Sequence, residues 1–69
     1  MTTFGEWLAG QRKAHGMPVS ELARRSGLSQ AGVRKIERGD ASPSLETADR
    51  LTRLGFGVPL WRAVRAFRP

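Results

Sequence analysis

The 69-residue chain has no cysteine and no tyrosine, a single histidine, His15, and six acidic residues against twelve Lys and Arg. Without cysteine there is no disulfide framework and no thiolate metal site, so at this size stability must come from tight helix packing or from a partner subunit. A reducing cytoplasm suits such a chain. The uncharged, largely apolar stretch from Gly55 to Trp61 falls far short of the roughly 20 residues that span a bilayer, and Glu6 interrupts the N-terminal segment. Neither a membrane span nor a secretion signal is expected. Catalytic groups are also scarce. One His, no Cys and dispersed carboxylates provide no paired acids, no nucleophile beside a base and no metal-ligand spacing. The eight glycines stand singly among helix ends and turns, not in a phosphate-cradling run. His15, one residue before a helix-ending Gly16, reads as structural or exposed, where a cation suits the helix dipole. A non-enzymatic protein with no cofactor and no metal is predicted.

What is present is positive charge and helical periodicity. The formal charge is +6 with 39% apolar residues, enough to fold and basic enough to favour phosphate polymers or anionic surfaces. After Asp49 come Arg50, Arg53, Arg62, Arg65 and Arg68 and no acid. The length supports one domain, residues 1–69.

Apolar periods separated by Gly, Ser and Pro run through the chain, and no sustained alternation marks a strand, so the fold class is all-α. Thr3 caps a first helix with Phe4, Trp7, Leu8 and Gln11 on one stripe, stopping at Gly16. Pro18 opens a short second helix with Val19, Leu22, Ala23 and Ser26 inward and Gly27 at its end. Leu28 plugs the gap, Ser29 caps a third helix from Gln30 to Arg38, and Gly39 closes it. After the loop Asp40 to Pro43, Ser44 caps a fourth helix with Leu45, Ala48 and Leu51 inward, ended by Gly55 or Gly57. Pro59 opens a fifth, with Leu60, Trp61, Val64 and Phe67 opposite Arg62, Arg65 and Arg68.

At about 100° per residue the third helix gathers Gly32, Val33 and Ile36 on one face and spreads Gln30, Ala31, Arg34, Lys35 and Arg38 over the other. Gln bonds adenine bidentately, Arg and Lys donate to guanine, and the Ala31 methyl suits a thymine methyl. A charged helix face by itself is more often merely solvated. Here it follows a short helix and a tight turn, with Ala23 small at the crossing and Gly27 suited to positive φ, a unit that presents its second helix to the major groove.

Through "VSELARRSGLSQAGVRKIERGDASPSLETADRL", about half the chain, with "ELARRSGLS", "IERG" and "PSLETADRL" as its specific phrases, the sequence resembles the Cro and phage-repressor type of helix-turn-helix proteins. The opening "FGEWLAGQRKAHGM" also looks like the family's first helix. The resemblance implies a compact, lambda-repressor-like bundle of five helices, a helix-turn-helix over about residues 19–38, a C-terminal helix over about 59–67, sequence-specific binding to double-stranded DNA and a homodimer. By the same resemblance Ser29, Gln30, Ala31 and Lys35 match positions that face bases, with Arg34 and Arg38 beside them, and Arg12 and Glu37 form a structural ion pair joining helices one and three. The sites expected are Gln30, Ala31, Arg34 and Lys35 for bases and Ser29, Arg38 and, at the N-terminus of helix four, Ser44 for the DNA backbone. The chain departs from the family pattern at Pro18 and Val19, where a hydroxyl cap and a phosphate-contacting Gln are usual, at Gly32 inside the recognition helix, at the acidic Asp40, and at the doubled glycines Gly55 and Gly57.

The basic C-terminal segment has a second reading. Leu60, Trp61, Val64 and Phe67 either close the monomer core or make a dimer contact; a helix lying on a membrane surface has the same composition but greater length. The function expected is a cytoplasmic transcriptional regulator, a repressor or an autoregulating antitoxin acting by operator occupancy. The alternative is a protein-interaction module whose C-terminal helix binds a partner such as a toxin. A single-stranded nucleic-acid binder would want exposed stacking aromatics, whereas Trp7 and Trp61 fit apolar stripes.

Overall fold

The computed structural model describes residues 3–67, with side chains as far as Arg65. The side chain of Phe67, and Arg68 as a whole, lie outside the described residues. Five helices follow in order: α1 (Phe4–Ala14), α2 (Val19–Ser26), α3 (Gln30–Arg38), α4 (Leu45–Phe56) and α5 (Leu60–Phe67). Among the described residues there is no strand.

The ends of the helices have local causes. Thr3 and Glu6 form a reciprocal capping box: the Glu6 N–H donates to the Thr3 hydroxyl at 3.1 Å and the Thr3 N–H to the Glu6 carboxylate at 3.0 Å. The Thr3 backbone N–H, and then its hydroxyl, hold the Glu6 carboxyl below its ordinary range. Ser29 and Ser44 cap α3 and α4, while Gly27, Gly39 and Gly57 end α2, α3 and α4 in the left-handed conformation. α4 therefore runs through Gly55 to Phe56.

Leu8, Leu22, Val33 and Leu51 are wholly excluded from solvent and form the centre of the core, with Met17, Ala23 and Ile36 around them. Burial of each large side chain is worth about 1.5 to 3 kcal/mol, and each comes from a different helix of α1 to α4. Helix α1 crosses α3 at Gly5, where an added methyl would collide with the backbone carbonyl of Ile36. Helix α2 lies on α4 at Gly55, where a methyl would stand 2.6 Å from Leu22 Cδ1. Arg25 ties the same pair of helices by donating to the Gly55 carbonyl at 3.2 Å. The expectation that the glycines sit among helix ends and turns is thus corrected for Gly5, Gly10 and Gly55, which with Gly32 lie within helices; Gly5 and Gly55 mark close helix contacts.

Two further expectations change. Leu45, placed inward by periodicity, is 80% exposed. It is the first residue of α4, where the Cα–Cβ bond tilts back past the helix end and away from the bundle. Trp61, placed on the inner stripe of α5, is 64% exposed, so its reading as a core residue fails. Helix α5 sits on α1 and α4 through the small Ala63, 3% exposed, with Leu60 and Val64 half-buried. That seating turns Trp61, two residues before Ala63 and so about 200° away, to the outside.

Candidate nucleic-acid interface

Helix α3 is held by its two ends and its inner face. At the entrance, Gly27 (φ 70°) turns the chain, and the Leu28 N–H donates to the Ala23 carbonyl at 3.0 Å, closing α2. Ser29 then accepts the Gly32 N–H at 3.0 Å. Gly32 occupies the first turn of the helix, and a Cβ there would sit 3.1 Å from the Ser29 hydroxyl, so the glycine leaves room for the cap. Val33 and Ile36 enter the core.

The outward face follows from that anchoring. Gln30, Ala31, Arg34, Lys35 and Arg38 are all exposed. Among the described residues neither Arg34 nor Lys35 has an ion-pair partner, so both charges are free to meet an anion. Ser29 is exposed as well, its oxygen engaged in the cap. Ser44 stands at the start of α4, accepting the Thr47 N–H at 3.1 Å and hydrogen-bonded to the Thr47 hydroxyl at 3.1 Å.

Glu37, the acid within α3, is turned away from this face. Arg12 Nε donates to Glu37 Oε2 at 2.7 Å and Arg12 Nη2 to Glu37 Oε1 at 3.1 Å, while Arg12 Nη1 reaches the Met17 carbonyl at 3.1 Å. Both side chains are largely buried, at 15% and 11% exposure. Hydrogen bonding to Glu37 raises the Arg12 pKa, outweighing the opposing effect of burial. The pair joins α1 to α3 and keeps one negative charge off the outward face. On α2, Glu21 takes hydrogen bonds from Arg24 and Arg25, which hold its carboxyl below the ordinary range.

Several contacts escaped the sequence reading. Asp40, in the loop after α3, lies 3.3 Å from Arg38 Nε, an ion pair two residues apart that only the turn at Gly39 brings about. Asp49 Oδ1 accepts the Leu60 N–H at 3.2 Å and so fixes the start of α5 from α4. Spacing carries no signal for a bond eleven residues apart. Leu60 and Val64 line an apolar groove with Leu45, Phe4 and Pro43, while Trp61 stands outside it with the Arg62 guanidinium 5.4 Å from its ring centre. His15 donates from Nδ1 to the Gln11 carbonyl at 2.8 Å and lies against Phe56, an end-of-helix position. No helix among the described residues is long and apolar enough to cross a membrane.

Comparison with known proteins agrees with this geometry. The family model described as Helix-turn-helix matches residues 8–60. The chain is 34% identical over 64 residues to a protein of Pyrococcus horikoshii named as an HTH-type transcriptional regulatory protein, and 33% identical over 64 residues to one of the same description from Pyrococcus furiosus. Each match covers 93% of this chain and 20% of the relative, so the chain spans about one fifth of their length. With α2 and α3 set across the Gly27 turn, the basic face of α3 outward and the family match running through both helices, the chain belongs to the helix-turn-helix family of the Cro and phage-repressor type.

Proposed function

We propose that this chain reads double-stranded DNA by sequence as part of a transcriptional regulator, acting by occupying an operator. The observation that carries the reading is the division of α3 into a buried apolar side, Val33 and Ile36, and an exposed side of Gln30, Ala31, Arg34 and Lys35. Long-range attraction brings the basic domain to the duplex. Ser29, Arg38 and Ser44 serve phosphates and set the register; Gln30, Arg34 and Lys35 choose among bases, and Ala31 meets a thymine methyl. The relatives' description as transcriptional regulatory proteins supports the regulatory role. A repressor and an autoregulating antitoxin both work by this means. As a homodimer, the protein would hold two recognition helices about 34 Å apart, over half-sites one turn of duplex apart. Selection of binding sites from a random duplex library tests the reading: a defined preference repeated in two symmetric half-sites is expected, and enrichment of no sequence would refute it.

A second reading rests on the exposed Trp61. An aromatic 64% open to solvent beside Arg62, on a helix that sits on α1 and α4, suits capture of a protein partner such as a toxin. Salt separates the two readings, because affinity for DNA falls steeply with salt while base preference persists.

A further inference from the structure

Asp40 stands where both the helix and the proposed ligand disfavour an acid. Gly39, at φ 82°, and the hydrogen bond from the Asp40 N–H to the Lys35 carbonyl at 2.9 Å hold it against the last turn of α3. The carbonyls at that negative end of the helix dipole repel a carboxylate. Asp40 is also the one acid between Glu37 and Glu46, in the loop that joins the recognition helix to Ser44. Phosphates approaching Arg38 or Ser44 would meet its charge. The compensation is Arg38 itself, whose Nε lies 3.3 Å from Asp40 Oδ2, both side chains being more than half exposed. Arg34 and Lys35 on the same helix face have no such partner among the described residues.

We propose that Asp40 is a built-in competitor for the DNA phosphate at Arg38, holding down the affinity of the protein for duplex DNA of any sequence. This rests on the DNA-reading function proposed above. To reach a phosphate, Arg38 must exchange a carboxylate that it already holds, and while it stays paired with Asp40 one phosphate keeps its condensed cations, so the duplex releases correspondingly less counterion. Phosphates occur at every step of the duplex, so the penalty applies to every site equally. Gln30, Arg34 and Lys35 are untouched by it, and the choice among sequences stays with them. The consequence is a protein that leaves arbitrary DNA sooner than its charge alone would allow.

The test needs no operator. Binding to a short mixed-sequence duplex is measured across a low-salt series for the wild type, Asp40→Asn, Arg38→Ala and the double variant. Asp40→Asn is expected to bind roughly two- to fivefold more tightly, the range for releasing an exposed ion pair. Its plot of log affinity against log salt should steepen by up to about 0.9, the share of one further neutralised phosphate. In the Arg38→Ala background the same change should yield a clearly smaller gain, the remainder that comes from the direct repulsion of phosphate by the Asp40 charge. An unchanged Asp40→Asn overturns the proposal. So does an equal gain in both backgrounds, which would mean that Asp40 acts on phosphate directly and not through Arg38. A wild type that binds no duplex at all removes the DNA-reading function, and the competitor role with it; wild-type binding with an unaltered variant removes the competitor role alone.

Discussion

At Gly5 an added Cβ would collide with the carbonyl oxygen of Ile36, so helix α1 crosses α3 with no room for a side chain. The crossing is secured farther along by the Arg12–Glu37 ion pair. Together these contacts brace the inner side of α3 against α1 and leave its outer side exposed.

The glycines of α1 predict opposite effects within one helix. Gly5→Ala forces the backbones of α1 and α3 apart and should lower stability by about 1 to 3 kcal/mol, as overpacking of a close contact does. Gly10 faces open space, and Gly10→Ala should raise stability by up to about 1 kcal/mol through helix propensity. Thermal melting followed by circular dichroism reads both. Melting shifts of the same sign would show that α1 does not cross α3 at Gly5.

The exposed face of α3 predicts a split between residues that choose and residues that hold. Gln30→Ala or Lys35→Ala should cost about 1 to 3 kcal/mol on the preferred operator and relax base choice at one position. Arg53→Ala, on α4 and engaged with Asp49 at 3.3 Å, should weaken binding slightly on all sequences. Equal losses on every duplex for all three variants would refute the assignment of readers on α3.

Acid should destabilise the protein through its capped and paired carboxylates. The Thr3 backbone and hydroxyl lower the Glu6 pKa, and Arg24 followed by Arg25 lowers that of Glu21, each from an ordinary value of 4.5. Because the folded values lie below the unfolded ones, their stabilisation is fully present above pH 4.5 and is lost as pH falls through the lowered values. Melting temperature should therefore hold steady down to that pH and decline below it. Glu21→Gln should melt lower at neutral pH and show a shallower acid decline. A variant whose decline matches the wild type would show that Glu21 takes no part in it.

Local chemistry and long-range geometry divided the outcome between them. The five helices, their caps at Thr3, Ser29 and Ser44 and the positive-φ turn at Gly27 follow from residues within a few positions of one another, which is the distance over which hydrogen bonds and backbone sterics act in a helix terminus. The same is true of the polarity of α3, because 3.6 residues per turn suffice to set Val33 and Ile36 opposite Arg34 and Lys35. Periodicity misled at Leu45 and Trp61. A stripe says that side chains share a side, and which side is covered depends on the neighbour: at the start of α4 Leu45 stays 80% exposed at the rim of the apolar groove, and α5 buries Ala63.

The amino-acid order thus determined on its own the five helices and a cationic surface on the third, which are written in spacings of a few residues, and the family, which is carried by phrases spread over about half the chain. Only the tertiary structure decided that α1 touches α3 backbone to backbone, that Asp49 holds the start of α5, that Trp61 points outward and that Asp40 takes Arg38. Those outcomes arise where separate helices, or a helix and its turn, come together, and the angle at which they meet is set by the packing of the whole core.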